Sequence, residues 1–301
     1  MASLIRRIGH VIKHSPEITR NYIIISKLKK QTEFNKIPVG LNRKTKIIVS
    51  LTSYSKRFET LDICIKSILN QTLLPDRLIL YLSKNENVED IPKPVRDLQN
   101  YGLEIKFVDL DLKPHKKYYY AMKDFPDDII ITLDDDIVYD KNLISELYKT
   151  HKKFLNCIVA ARAHKIRFDS DNKIAKYNNW EWCSTESNEP SFLFLATEGA
   201  GTLYPPHLLN KHLLFNLEYI NKYINADDLW MKAVELVSHV PVVIANPKLE
   251  KKRIEIPEAQ DVALAKNNVG NYQNDAYLKE LEKDFHILSK IKNLEYKFNN
   301  Q

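Results

Sequence analysis

The sequence predicts an α/β protein built on a mainly parallel sheet flanked by helices. Two observations carry this. Short apolar runs alternate with amphipathic helical segments between residues 46 and 245, the pattern of successive βαβ units with right-handed crossovers. One run, Asp128-Ile129-Ile130-Ile131-Thr132-Leu133, is apolar almost throughout, as a strand buried on both faces must be. The 301 residues suit one such domain with small appendages.

The elements follow in order. Leu4, Ile5, Ile8, Val11 and Ile12 recur at helical spacing, with Arg6, Arg7 and Lys13 mostly opposite. A second apolar cluster, Tyr22 to Ile25, leads into Lys27-Leu28-Lys29-Lys30. Asn35 to Arg43, with Pro38 and Gly40, reads as a linker. Lys46 to Thr52 is the first strand and 58–69 the first helix of the repeating pattern. Arg77 to Leu82 and Glu104 to Val108 are strands, His115 to Phe125 is a helix, and Asp128 to Leu133 is the fourth strand. A helix over 141–154 and a strand from Cys157 to Ala161 follow. The pattern then loosens: 163–204 is polar, aromatic and turn-rich. Ala226 to Val237 is helical, Val240 to Ala245 is a strand, and 275–292 closes the chain as one charged amphipathic helix. The organisation expected is a basic arm (1–45), a catalytic domain (46–250) and a C-terminal loop and helix extension (251–301).

Composition excludes several classes. Glycine is scarce, and neither G-x-G-x-x-G nor G-x-x-x-x-G-K-[ST] occurs, which rules out the common glycine-rich phosphate loops. Cys64, Cys157 and Cys183 are too far apart for a C-x-x-C zinc site or a disulfide framework, so a reducing, cytoplasmic setting is expected. No apolar run reaches the roughly 18 residues a bilayer span needs. Residues 1–46 hold eleven Lys and Arg against two acids, whereas the whole chain carries +6. That asymmetry suggests a basic arm facing an anionic partner.

Ligands of open α/β sheets bind at the carboxyl ends of the strands. Asp134, Asp135 and Asp136 lie there, directly after the most apolar strand. Three adjacent carboxylates repel one another and are costly to desolvate without a cation. A hard divalent ion, Mn²⁺ or Mg²⁺, would relieve both and could bridge phosphate oxygens. A solvated acidic turn capping the next helix is the competing reading of the triplet alone. Asp227 and Asp228 head a helix, where acids also serve simply to stabilise the first turn.

Several segments together resemble family 2 glycosyltransferases of the GT-A fold. Ile47 to Tyr54, then Leu61 to Leu69 with Asn70-Gln71-Thr72 and Pro75-Asp76, resembles their opening strand, turn and helix. Asp128 to Asp136 is similar to their apolar strand and DxD motif, Glu198-Gly199-Ala200-Gly201 to their small-residue acceptor loop, and Ala226 to Trp230 to their Glu-Asp motif. The resemblance spans 46–245 with the motifs in order. It implies a GT-A Rossmann-like sheet and an acceptor-side half. It also implies inverting transfer of a hexose from a nucleotide, UDP above all, to a hydroxyl of a saccharide or lipid-linked saccharide. Metal would sit on Asp134 and Asp136, with Asp135 beside the nucleotide. Asp228, ahead of Asp227, would be the general base.

Thr52, Tyr54 and Arg57 would meet the nucleotide, Tyr54 by stacking and Arg57 by pairing with phosphate. The second strand ends in Tyr81-Leu82-Ser83-Lys84-Asn85 instead of the usual acidic stretch, which moves the acidic nucleotide contact to Asp109 or Asp111. Lys116, at a helix start, would meet the diphosphate. His164 is a further candidate for orienting substrate or metal. The late pairs Gln260-Asp261 and Asn274-Asp275 could close over an acceptor. Tyr118, Tyr119 and Tyr120 cannot all face one way on a helix. Nucleic acid is not among the expected partners. Lipid-linked acceptors would place residues 1–30 against an anionic membrane face, and packing of those helices on the catalytic domain is the alternative. A two-metal phosphohydrolase and a non-catalytic carbohydrate-binding protein are the rival readings.

Overall fold

The computed structural model describes residues 2–37, 43–262 and 273–300, the side chains of 2–15, 261 and 262 lying outside that description, as do positions 38–42 of the expected linker. After α1 (Ala2–Lys30) come β1 (Ile47–Thr52), α2 (Phe58–Leu69), β2 (Arg77–Ser83), α3 (Lys93–Asp97) and β3 (Leu103–Val108). Then follow α4 (Lys116–Asp124), β4 (Ile129–Thr132), β5 (Ile137–Val138), α5 (Leu143–His151) and β6 (Ile158–Ala160).

The seven-stranded central sheet runs β10-β6-β9-β4-β1-β2-β3, where β9 is Thr202–Tyr204 and β10 is Val242–Ile244. Its pairings are parallel except those of β9, which is antiparallel to both β4 and β6. Alternation explains the two layers. Ile47, Val49 and Leu51 point to one face, where α2 and α5 cover them, while Ile48 joins α4 and the late helices on the other.

The chain goes from β1 outward to β2 and β3, then returns to place β4 on β1's other side. The order therefore reverses between β1 and β4, and the crevice beyond their carboxyl ends is the expected ligand position. Gln71, from the Leu-Asn-Gln-Thr segment, fastens the outer wall: its amide donates to Asp140 O at 2.8 Å, and its carbonyl accepts from Ile144 N at 3.0 Å.

Two expectations are corrected. The segment 163–204 is not merely a looser stretch. It contains β7 (Ala163–Lys165), β8 (Phe194–Ala196) and β9, three residues each and too short for a periodic signal. After α6 (Lys211–Leu214), α7 (Leu217–Lys222), α8 (Asp227–Ser238), β10 and β11 (Ile254–Glu255), the closing helix is two helices, α9 (Gln273–Phe285) and α10 (Ile287–Asn299). His286 breaks it at φ 52°. Leu281 and Ile287 stand six residues apart, about 120° off a common face in a straight helix. The break lets both bury among the residues of α8.

The N-terminal segment has two sides. Ile25 and Leu28 join the α2 core, Lys66 Nζ donates to Lys29 O at 3.2 Å, and the Gln31 and Asn70 amides bond reciprocally at 3.0 and 2.8 Å. Ile18, Tyr22 and Ile23 are exposed.

Candidate active site

The turn after β1 and the turn after β4 meet across the crevice. Asp135 is buried beneath them and fully engaged. Ser53 Oγ donates to its Oδ2 at 2.5 Å, and the Arg57 guanidinium pairs with its Oδ1 at 2.5 Å. The same guanidinium nitrogen stands 3.3 Å from Asp136 Oδ2. Burial works against the Arg57 charge, but Asp135 and Asp136 outweigh it and hold the group protonated. Its Nε is buried with no hydrogen-bond partner among the described residues. Tyr54 is half-buried, its ring 5.8 Å from the Arg57 guanidinium. Thr52 Oγ1 donates to Tyr81 O at 2.8 Å and so fixes the β1–β2 edge of the crevice.

The centre of the site is Lys117, which is 2% exposed. Its ammonium reaches Asp134 at 2.7 Å and Asp227 at 2.9 Å, joining the β4 acids to the start of α8. Burial opposes its charge, and Asp134 and then Asp227 override burial, so the ammonium is held well above its ordinary range. Asp134 responds in kind: burial would raise it, and Lys117 brings it below the usual carboxylate value. Sequence reasoning chose Lys116 instead. That side chain is buried as well, but it pairs with Asp111 and not with the acids of the crevice. The available signal was helical phase. Lys117 shares the inward face with Ala121, four residues on, and an inward lysine implies a buried partner.

Glu198 ties three elements together. Its carboxylate accepts from Tyr204 Oη and, at 2.9 Å, from Thr132 Oγ1, while its backbone N–H donates to Asp228 Oδ1 at 2.9 Å. Burial pushes the Glu198 carboxyl well above its ordinary value. Asp227 and Asp228 thus turn to Lys117 and to Glu198 N, and Ala226, the residue before α8, gives the helix no side-chain cap. Burial, and then the neighbouring Asp227, push Asp228 up to about 7. Gly199 is packed so tightly that a Cβ there would stand 1.7 Å from Asp134 Oδ2.

Other candidates lie elsewhere. Asp109 is on the rim, ion-paired to Lys84 at 2.5 Å with its side chain 77% exposed. His164 is buried behind the crevice, where its Nδ1 accepts from Cys183 N at 3.1 Å, and burial lowers it to about 3. Tyr118 and Tyr119 are core, and Tyr120 bonds the backbone of Leu110. Gln260 Nε2 donates to Asp136 Oδ2 at 3.2 Å, while the Asp261 side chain lies outside the described residues. Asn274 is buried, and Asp275 accepts from Tyr177 N at 2.7 Å.

The donor set was tested against a divalent ion. Burial, and then the charge of Asp134, raise Asp136 to about 6, a strain that added positive charge would relieve. Among the described residues no three His, Cys, Asp or Glu side chains converge on one point. An ion held by Asp134 and Asp136 would have to draw its remaining ligands from phosphate and water, the usual habit of Mg²⁺-like ions.

The crevice lies at the switch point of this sheet, with an acid triplet on one wall and helix-borne acids on the other, the arrangement expected from the resemblance to GT-A glycosyltransferases. The model of Glycosyl transferase family 2 matches residues 48–206, more than half of the chain, and the chain belongs to that family. Among solved structures it is similar to residues 1–349 of S. aureus TarS in complex with UDP, at 12% identity over 67% of this chain and 58% of that one, with a TM-score of 0.44. The UDP-GlcNAc complex of TarS gives 12%, 67%, 56% and 0.43. The mannosyltransferase PcManGT from Pyrobaculum calidifontis, in complex with GDP-Man and Mn²⁺, gives 15%, 51%, 45% and 0.31. The chain thus spans little more than half of the TarS fragment. No curated protein matches the sequence.

Proposed function

We propose that the protein moves a hexose from a UDP-linked donor to a hydroxyl of a saccharide or lipid-linked saccharide, with inversion at the anomeric carbon. The observation that carries this reading is Lys117, which joins the diphosphate wall to the base wall through Asp134 and Asp227. Asp134 and Asp136 would hold Mn²⁺ or Mg²⁺, which when bound supplies Lewis-acid neutralisation of the diphosphate. Arg57 offers an unpartnered buried Nε–H to a phosphate oxygen, and Asp135 keeps that guanidinium aimed at the crevice. Asp228 takes the proton of the acceptor hydroxyl as its oxygen attacks the anomeric carbon. A carboxyl raised to about 7 is suited to that, since a base works best near the ambient pH. Asp227 is committed to Lys117 and serves to position it. One base on the acceptor side, with no second carboxylate needed as nucleophile, supports single displacement. The site of action is the cytoplasmic face of a membrane, which α1 would touch.

The test is calorimetry of UDP, UDP-sugars and GDP-mannose with and without Mn²⁺, followed by transfer assays. Wild type is expected to bind a uridine nucleotide only with metal. Asp136→Asn should lose that binding, whereas Asp228→Asn should bind donor normally and turn over at least 10²-fold more slowly. Full activity in EDTA, or a fully active Asp228→Asn, would overturn the mechanism.

A further inference from the structure

Trp182 is 43% exposed, yet it is held with unusual firmness. On one side Glu181 exchanges backbone bonds with Lys165 at 2.8 and 3.0 Å. On the other, Cys183 N–H donates to the His164 ring and Ser184 N–H to Ala163 O at 2.9 Å. Cys183 adopts φ 52°, a left-handed conformation that is unfavourable for a non-glycine residue. The indole lies over His164 at 4.7 Å between ring centroids, with Tyr177 edge-on at 5.7 Å. One aromatic face is thus buried and backed, and the side chain still meets solvent.

Its neighbours are polar. Cys183 Sγ lies 3.9 Å from Glu250, which pairs with Arg162 at 3.7 Å and Arg253 at 3.0 Å. Arg162 also anchors Thr197, through Nε to Oγ1 at 2.7 Å, and Thr197 directly precedes the Glu198 that bonds Asp228. Burial, and then the Asp228 charge, raise the Tyr177 phenol, so the cluster stands within electrostatic reach of that acid. A pyranose has an apolar C–H face and a rim of hydroxyls. A rigid indole face matches the first, and the Arg162–Glu250 pair, beside the adjoining Cys183, offers polar partners for the second.

We propose that the exposed face of Trp182 is the platform on which the acceptor's pyranose ring stacks, with Arg162 and Glu250 meeting its hydroxyls. His164 and Tyr177 are positioning residues that hold the indole flat. This rests on Asp228 being the base, because the platform matters only if the acceptor lies on that side.

The experiment is saturation-transfer NMR on the full chain with UDP and Mn²⁺. The probes are the methyl β-glycosides of glucose, galactose and N-acetylglucosamine. At least one is expected to receive saturation at its ring C–H protons. Trp182→Ala should weaken that glycoside about tenfold, ~1.4 kcal/mol, and Trp182→Phe should restore most of the loss. UDP affinity should be unchanged in both. Asp228→Asn should bind glycoside like wild type, so a failed base assignment would appear in turnover and leave this readout intact. No glycoside binding to wild type, equal binding by Trp182→Ala, or a parallel loss of UDP binding would each overturn the platform.

Discussion

At the scale of single residues, the site is a balance of buried charge. Lys117 and Arg57 stand against Asp134, Asp135, Asp136 and Asp227, and the geometry leaves little slack. Gly199→Ala tests this most directly. Its backbone φ is not left-handed, and the nearest neighbours of the added methyl are atoms of the Asp134 carboxylate, which must shift and so disturb its pairing with Lys117. We expect about a 10²-fold loss of kcat/KM, as for an ångström-scale misplacement, with a cost of only about 1–3 kcal/mol in urea unfolding. Unchanged activity would show that Asp134 need not sit there. In the proposed mechanism Asp228 sets the pH dependence, facing Asp227, Lys117, Glu198 and Asp134. As a base it must be ionised, so transfer should rise with pH through about 7. Stability runs the other way: a carboxyl raised above its unfolded value favours the folded state at low pH, and that share is lost as pH rises through about 7. A flat profile from pH 5.5 to 8.5 would contradict the assignment. The acids could be singled out in the sequence by their places after an apolar strand and at a helix start, where capping was the competing reading, and in the fold Asp134 and Asp227 meet on one lysine. Lys117, Arg162 and Trp182 could not be, since their roles depend on helix phase and on contacts between segments far apart in the chain.

At the scale of elements, legibility followed length. β1, β2, α2 and α4 were readable because each offers enough residues to display a period, and continuous burial of β4 marked the sheet's interior. β7, β8 and β9 each span three residues within a turn-rich stretch and gave no signal, although β9 sits inside the central sheet, whereas β6 and β10, equally short, lie in apolar runs of five or six residues and were readable. The break at His286 was hidden because neither Gly nor Asn, the usual helix-ending signals, stands there. α8 ends the same way. His239 is exposed at φ 58°, and two bonds close the helix: His239 N to Leu236 O at 3.3 Å and Val240 N to Glu235 O at 3.0 Å. A left-handed non-glycine residue costs ~1–2 kcal/mol, partly offset on substitution by glycine's larger unfolded-state entropy. His239→Gly is therefore expected to stabilise the fold by about 0.5–1 kcal/mol with no change in turnover. A lower urea midpoint would mean that the imidazole makes a contact of greater worth than the relieved strain.

At the scale of the whole molecule, the question is what α1 is for. Its inner side is structural: Ile25 and Leu28 are buried against α2, so removing residues 1–30 would strip the core along with any outer surface. Its outer side exposes Ile18, Tyr22 and Ile23, with Arg20, Lys27 and Lys30 exposed on the same helix. A cavity of about 290 Å³ opens between this side and the Ile254–Glu258 segment, and Lys29 pairs with Glu258 across it at 3.1 Å. Among the described residues no helix is long and apolar enough to cross a membrane. Apolar side chains flanked by cations are what an anionic lipid surface attracts, at ~1 kcal/mol for each Lys or Arg near the headgroups. A lipid-linked acceptor would give the enzyme reason to stay there. Point substitution separates the two sides of the helix where truncation would not. The intact chain should co-sediment with phosphatidylglycerol-containing vesicles at low salt and be released as salt shortens the screening length. The triple variant I18S/Y22S/I23S should bind several-fold more weakly while keeping the wild-type unfolding midpoint. Equal sedimentation of the two proteins, or binding by neither, would make α1 a packing element alone.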